Sequence, residues 1–354
     1  MSEEKKENKM EGLSFTRLFA SFFQSEKCSL ALACNLPAGL SIVGRQKEGK
    51  VLFQQVGQGD MCAVAAGSDG TLWSAEKNFL WKWENITATG GYKANDGILY
   101  APRLRIFTSD LGTRDMAVDG KGELLMACGA YSAVGRASND ASFEVVWKPP
   151  FITKMVREDR CGLSGIGLFD KERHCVTMWG RSDKADGWRE NFNGGGCVTL
   201  MHDSSIYGEG LCLPRAPRWR GTDLHLLNAG TAEFGKIDPA SKRFVPVCQC
   251  PGYPTGLSFS GRWAVISISA EPPAGTAGLD LPAKENFAAR KAPPFSGILL
   301  VDMMTGDIAH HAYSESDKFF VHGVAVLAGA PQAMALGQES EKLNPLVTVS
   351  RRKR

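Results

Sequence analysis

MAVDGKGELLMAC, Met116 to Cys128, is an alternating run, a turn built on Asp119-Gly120 and Gly122, and a second apolar run. That order of parts marks two neighbouring antiparallel strands joined by a tight hairpin. It returns five more times: CAVAAGSDGTLWSA from Cys62, IGLFDKERHCVTMW from Ile166, RWRGTDLHLLN from Arg218, LSFSGRWAVISIS from Leu257 and VAVLAGAPQAMAL from Val324. The starts lie roughly 40 to 70 residues apart, the spacing of one four-stranded blade. Helical periodicity is weak beyond Ser29, so the six copies predict an all-β chain, a six-bladed β-propeller with a short N-terminal helical extension.

Each copy supplies two inner strands whose turn lies on one rim, and the connection leading into it opens on the other rim, near the axis. The residues just ahead of the copies therefore converge: Asp60-Met61, Arg114-Asp115, Gly162 to Gly165, Pro214 to Pro217, Thr255-Gly256 and His322-Gly323. A ring of these positions surrounds one central pocket. The interval before the last copy holds EPPAGTAGLDLPAKENFAARKAPP, Glu271 to Pro294, expected as a lid draped over a rim or as a partly mobile loop. Outside the propeller, taken as 29–340, residues 1–12 are expected as a disordered tail. A helix within 13–28 is expected on Leu18, Phe19, Phe22 and Phe23, and 341–354 form a basic tail ending in Arg351 to Arg354.

A chain of 354 residues with 43% apolar content buries a large core. With 41 basic and 38 acidic residues, a net charge of +3, no global field points to a nucleic acid or a membrane, and neither is expected as a partner. Ten cysteines without paired spacing read as reduced thiols, and MSEEKKENKMEG lacks the apolar run of a secretory leader, so a cytoplasmic location is expected. No GxSxG elbow, Walker loop or dinucleotide fingerprint is present, and the cofactor, if any, stays unidentified.

Chemistry concentrates in WKPPFITKMVREDRCGLSG, Trp147 to Gly165. Its Glu158-Asp159-Arg160 cluster either pairs on a surface loop with Arg157 and Arg160 or serves the pocket. Cys161 beside Arg160 is either an activated nucleophile or a buried, inert thiol. Asp115, Glu158 and Asp159 are the candidate carboxylates: paired with arginine they orient it, and against an apolar wall they transfer protons. Of the six histidines only His322 falls at a ring position, where it suits a general acid or base. Trp188 and Arg189 of DGWREN offer an aromatic face and a fork donor to the pocket, or staple one blade to the next.

The strings YAPRLRIFTSDLGTRDMAVDGKGEL, WKPPFITKMVREDRCGLSGIGL, VTMWGRSDKADGWRENFNGGG and GLCLPRAPRWRGTDLHLLNAGTAEFGKID stand in an order that resembles domain-of-unknown-function family 4915, from about Ser29 to Gly337. The resemblance implies a propeller-like fold and brings no activity with it. Its departures are informative. The family's HDLAV, CHLNG and PHSPR strings place histidines where this chain has Arg114, Gly162 and Arg215, and an asparagine where it has Ser164. An acidic pair in an ELFDV-like string gives way to Phe320 and Gly323, with His322 between them. Imidazoles from successive blades would hold a metal ion on the axis, whereas guanidinium groups repel one and attract a carboxylate, phosphate or sulfate.

The resulting expectation is a metal-independent enzyme, hydrolytic or oxidative, acting on an anionic small molecule. Arg114, Glu158, Asp159, Arg160, Ser164, Trp188, Arg189, Arg215 and Arg218 would bind substrate, and Asp115 and His322 would move protons. The alternative is a non-catalytic propeller kept as a ligand-binding or scaffold module.

Overall fold

The computed structural model describes residues 13–36, 38–57, 59–87, 97–170, 173–314, 319–344 and 346; the expected tail over 1–12 and Arg351 to Arg354 lie outside the described residues. Six sheets, each built on four antiparallel strands, form the ring of a β-propeller. Blade 2 runs from the axis outward through Met61–Ala66, Leu72–Glu76, Phe79–Asn85 and Ile98–Phe107. Blade 3 follows with Thr113–Val118, Leu124–Cys128, Ala133–Arg136 and Glu144–Trp147, and blade 4 with Leu163–Gly167, Cys175–Met178, Asn193–Leu200 and Ile206–Cys212. Blade 5 comprises Pro214–Arg220, Asp223–Asn228, Glu233–Asp238 and Arg243–Gln249, and blade 6 Tyr253–Ser260, Trp263–Ser269, Gly297–Asp302 and Ile308–Ser314.

Five copies of the repeat are thus the two inner strands of blades 2 to 6. The sixth departs from the expectation. Phe320–Ala328 is the inner strand of blade 1, but it pairs with Cys28–Leu36, and Ala38–Arg45 and Val51–Val56 complete that sheet. Ala333–Ala335, expected as the next strand of the same copy, instead lies parallel to the outer strand of blade 2, against Ile98 to Tyr100. The reason is closure: the N-terminal part of the chain already supplies three strands of blade 1, and only the inner place is vacant for the C-terminal part.

The N-terminal helix spans Phe19–Ser25, and Leu13–Phe15, expected inside it, adds an edge strand to blade 6. Phe19, Phe22 and Phe23 are buried against Leu30, Leu32 and Trp263, while Leu18 is 55% exposed. Each of the three rings contributes roughly 2 kcal/mol of apolar burial, so the helix seals the seam between blades 6 and 1.

Near the axis the inner strands approach so closely that side chains are excluded at some positions. A Cβ on Gly165 would stand 2.4 Å from Pro217 Cδ of the next blade, and one on Gly256 2.7 Å from Gly323 Cα. Hydroxyl groups lock the same seams. Ser164 Oγ, within reach of Thr177 Oγ1 at 3.0 Å, donates to the Pro214 carbonyl at 2.6 Å. Thr255 Oγ1, 2.9 Å from Ser267 Oγ, does the same to Val321 at 2.7 Å. Among the described residues no helix is long and apolar enough to cross a membrane.

Candidate functional site

The inner strands surround an axis whose two ends differ. At the far end of the strands a cavity of about 230 Å³ is lined from all six blades, by Val64, Met116, Ile166, Arg218, Leu257 and Val324 among others. Aliphatic residues make up most of its lining, with Arg218, Trp219 and Ser258 besides. At the near end, where the chain enters each inner strand, stand Arg114, Arg215 and His322.

Asp115 and Arg218 lie between these ends and bind three blades together. Arg218 Nη2 and Nη1 donate to Asp115 Oδ1 and Oδ2 at 2.7 and 2.8 Å, and Nη1 also reaches the Ile166 carbonyl at 2.9 Å. The same carboxylate accepts the backbone N–H groups of Met116 and Ile166 at 2.9 and 3.1 Å. Such a fork-to-fork pair is among the strongest hydrogen-bonded contacts of side chains. With its lone pairs engaged, Asp115 is an anchor for Arg218, unlike the proton-transfer group expected of it, and Arg218 is a cross-brace.

Arg114 is held in a similar way. Its Nη1 and Nη2 donate to Asp159 Oδ1 and Oδ2 at 3.0 and 2.5 Å, and its guanidinium stacks 4.2 Å over the buried ring of Trp179. Asp159 reaches this position from the left-handed region, φ 44°, which aspartate tolerates better than most residues. The expected surface pairing inside the cluster therefore holds for only part of it. Glu158 binds Arg160 at 2.7 Å, Arg157 turns to Asp110 at 2.5 Å, and Asp159 crosses to the inner strand of blade 3.

Arg160 does not join the ring at the axis. Its Nη1 binds Asp183 at 2.7 Å while Nε and Nη2 bind Glu158, so two carboxylates occupy it as a rim brace. Hydrogen bonding from Thr153, then from Arg160, pulls the Asp183 carboxyl down to about 2. Ser164, expected to touch substrate, is spent on the hydroxyl clip between blades 4 and 5. Cys161 is fully buried and its thiol is pushed up to about 12 by that burial, which makes it inert near neutrality.

Arg215 is the exception. It is 5% exposed, forms no ion pair among the described residues, and its Nε has no acceptor. Burial, reinforced by the charge of Arg114 and opposed by that of Asp115, lowers its pKa to about 10. It remains a cation at neutral pH. His322, from the inner strand of blade 1, is depressed to about 4 by burial and then by Arg215, so it is a neutral imidazole near pH 7 and no general acid there. Its stabilising neutral form is fully retained above its ordinary 6.5 and is lost as pH falls toward about 4. The stability difference between the wild type and His322→Gln should accordingly shift as the pH goes from 7 to 4.5. An unchanged difference in urea denaturation would mean that His322 titrates normally.

Trp179 and Trp188 form the wall beside Arg114, their rings 4.6 Å apart at 69°. Neither indole N–H has an acceptor among the described residues. Sequence reasoning singled out Trp188 and missed Trp179, although WG after the blade 4 strand carried the signal. A Cβ on Gly162, φ 61°, would lie 2.7 Å from Trp179 Cβ. Where the resembling pattern has histidine, Trp179 takes up the room.

The segment from Glu271 to Pro294 covers this end of the axis as expected of a lid, and it contains a helix, Ala283–Ala289, that the sequence reading did not find. Leu281, Ala283 and Phe287 pack against Trp179, Trp188 and Tyr253. Arg189 donates to the carbonyls of Gly275 and Ala277, the latter at 2.6 Å, so its fork fastens the lid and does not face the ring at the axis. Among the described residues no three His, Cys, Asp or Glu side chains meet in a way that holds a metal ion.

In overall shape the chain is similar to a protein solved as a nidogen/laminin complex, with a TM-score of 0.56 and 12% identity over 86% of this chain and 99% of that one. It is also similar to a protein of unknown function from Bacteroides caccae, with a TM-score of 0.51 and 11% identity over 85% and 99%. At such identities the likeness speaks for the propeller fold alone. No curated protein matches the chain in sequence. A family model described as Domain of unknown function (DUF4915) matches residues 17–336.

Proposed function

The chain belongs to the Domain of unknown function (DUF4915) family, and we propose that its axial chamber binds an anionic small molecule without a metal ion. One observation carries this reading: Arg215 is a buried guanidinium without a carboxylate partner among the described residues. Charges so deeply placed are paired in folded proteins or await a ligand. Its surroundings fit that role: the like charge of Arg114 disfavours an unmatched cation there, Trp179 and Trp188 carry indole N–H groups without an acceptor among the described residues, and Leu281, Ala283 and Phe287 of the lid pack on both rings.

If the protein is an enzyme, His322 is the group left to accept a proton, and the reaction is hydrolytic or oxidative. The engagement of Asp115 by Arg218 favours a second reading, a propeller that binds its ligand without turning it over. Incubation of the purified protein with a cell metabolite extract, followed by mass spectrometry, separates the two. A compound consumed by the wild type but not by Arg215→Ala identifies an enzyme, and one retained unchanged on the protein identifies a binder. Equal profiles for wild type and variant would remove the chamber from consideration, and a stoichiometric transition metal in the purified protein would remove the metal-free reading.

A further inference from the structure

Of Arg114, Arg215 and Arg218, the inner-strand arginines that are not exposed, two are already neutralised. Arg114 gives both terminal nitrogens to Asp159, and Arg218 gives both of its own to Asp115. Each pair is locally balanced, and His322 adds no charge at neutral pH. Of these three arginines, Arg215 has no counter-charge among the described residues, and the ionised groups that bear on it are Arg114 and Asp115, one of each sign. The chamber thus has a single unit of positive charge to satisfy.

Resting on the anion reading above, we propose that the ligand is a monocarboxylate, received by the guanidinium of Arg215. A dianion would meet one free positive charge and then bury its second negative charge near Asp115, where nothing remains to balance it. A carboxylate brings one charge and two coplanar oxygens, the shape that a guanidinium edge matches with two parallel hydrogen bonds. Trp179, stacked on Arg114, and Trp188 beside it give this end of the axis apolar surroundings, so the remainder of the molecule is expected to be uncharged and partly apolar.

The test uses the full chain and defined salts at constant ionic strength. Binding of sodium acetate, butyrate and benzoate is measured by calorimetry and thermal shift beside methanesulfonate, sulfate and inorganic phosphate at pH 8, where phosphate is a dianion. Carboxylates are expected to bind at least tenfold more tightly than either dianion, and more tightly than methanesulfonate, which has the same charge on a tetrahedral head. Arg215→Met is expected to abolish this binding. Arg215→Lys, which keeps the charge and loses the fork, is expected to weaken it about tenfold. Preference for sulfate or phosphate, still dependent on Arg215, would overturn the carboxylate assignment and leave the anion chamber standing. Preference for methanesulfonate would keep the single charge and overturn the planar fork. No binding by the wild type, or binding that survives Arg215→Met, would overturn the inference and the anion reading together.

Discussion

Alanine in place of Asp115 is expected to remove about 3–5 kcal/mol of folding stability. The side chain is 9% exposed and holds Arg218, 23% exposed, through two short hydrogen bonds, while accepting backbone N–H groups from blades 3 and 4. Its removal strands a cation near the axis and unpairs the Ile166 N–H. Asparagine should do less damage, because its carbonyl still accepts one of those donors. Chemical denaturation of Asp115→Ala, Arg218→Met and the double variant would measure the coupling, and the double variant should recover much of the loss. A cost below about 1 kcal/mol for Asp115→Ala would show the pair to be as weak as a solvated surface bridge.

Methionine in place of Arg215 is expected to act in the opposite direction, raising stability by about 1–3 kcal/mol while ligand binding disappears. The native guanidinium is buried beside a like charge, and burial is the larger of the two effects that lower its pKa to about 10. An apolar chain of similar length fills the same volume without that desolvation. Gain of stability with loss of ligand is the behaviour of a residue retained for binding. A destabilised Arg215→Met that bound its ligand normally would instead assign Arg215 to the architecture.

These two predictions show how far the sequence could be read. Arg215 and Arg218 stand in one short string, PRAPR, and nothing in it distinguishes them. The difference arises in three dimensions. Ala216 takes a φ of 46° and the pairing register slips between Arg215 and Arg218, so the two side chains meet different surroundings. The partner that neutralises Arg218 is 103 residues away in sequence. Alternation, with glycine or Asp-Gly at four of the turns, did disclose five inner hairpins, because those signals are local. Closure by Phe320–Ala328 did not show itself, since the strand that it joins lies near the opposite end of the chain. Trp179 and Ser164 were also hidden: whether an indole walls a chamber, or a hydroxyl clips two blades, depends on neighbours that no spacing rule specifies.

Blade 1 has a consequence for how the molecule comes into being. Its three outer strands are made first and its innermost one nearly last, so during synthesis Cys28–Leu36 must wait with an unpaired edge while five other sheets assemble. His322 rides on that final strand. The proposed ligand site is therefore complete only when the ring snaps shut, and a nascent chain stalled before Phe320 would present five finished sheets without it.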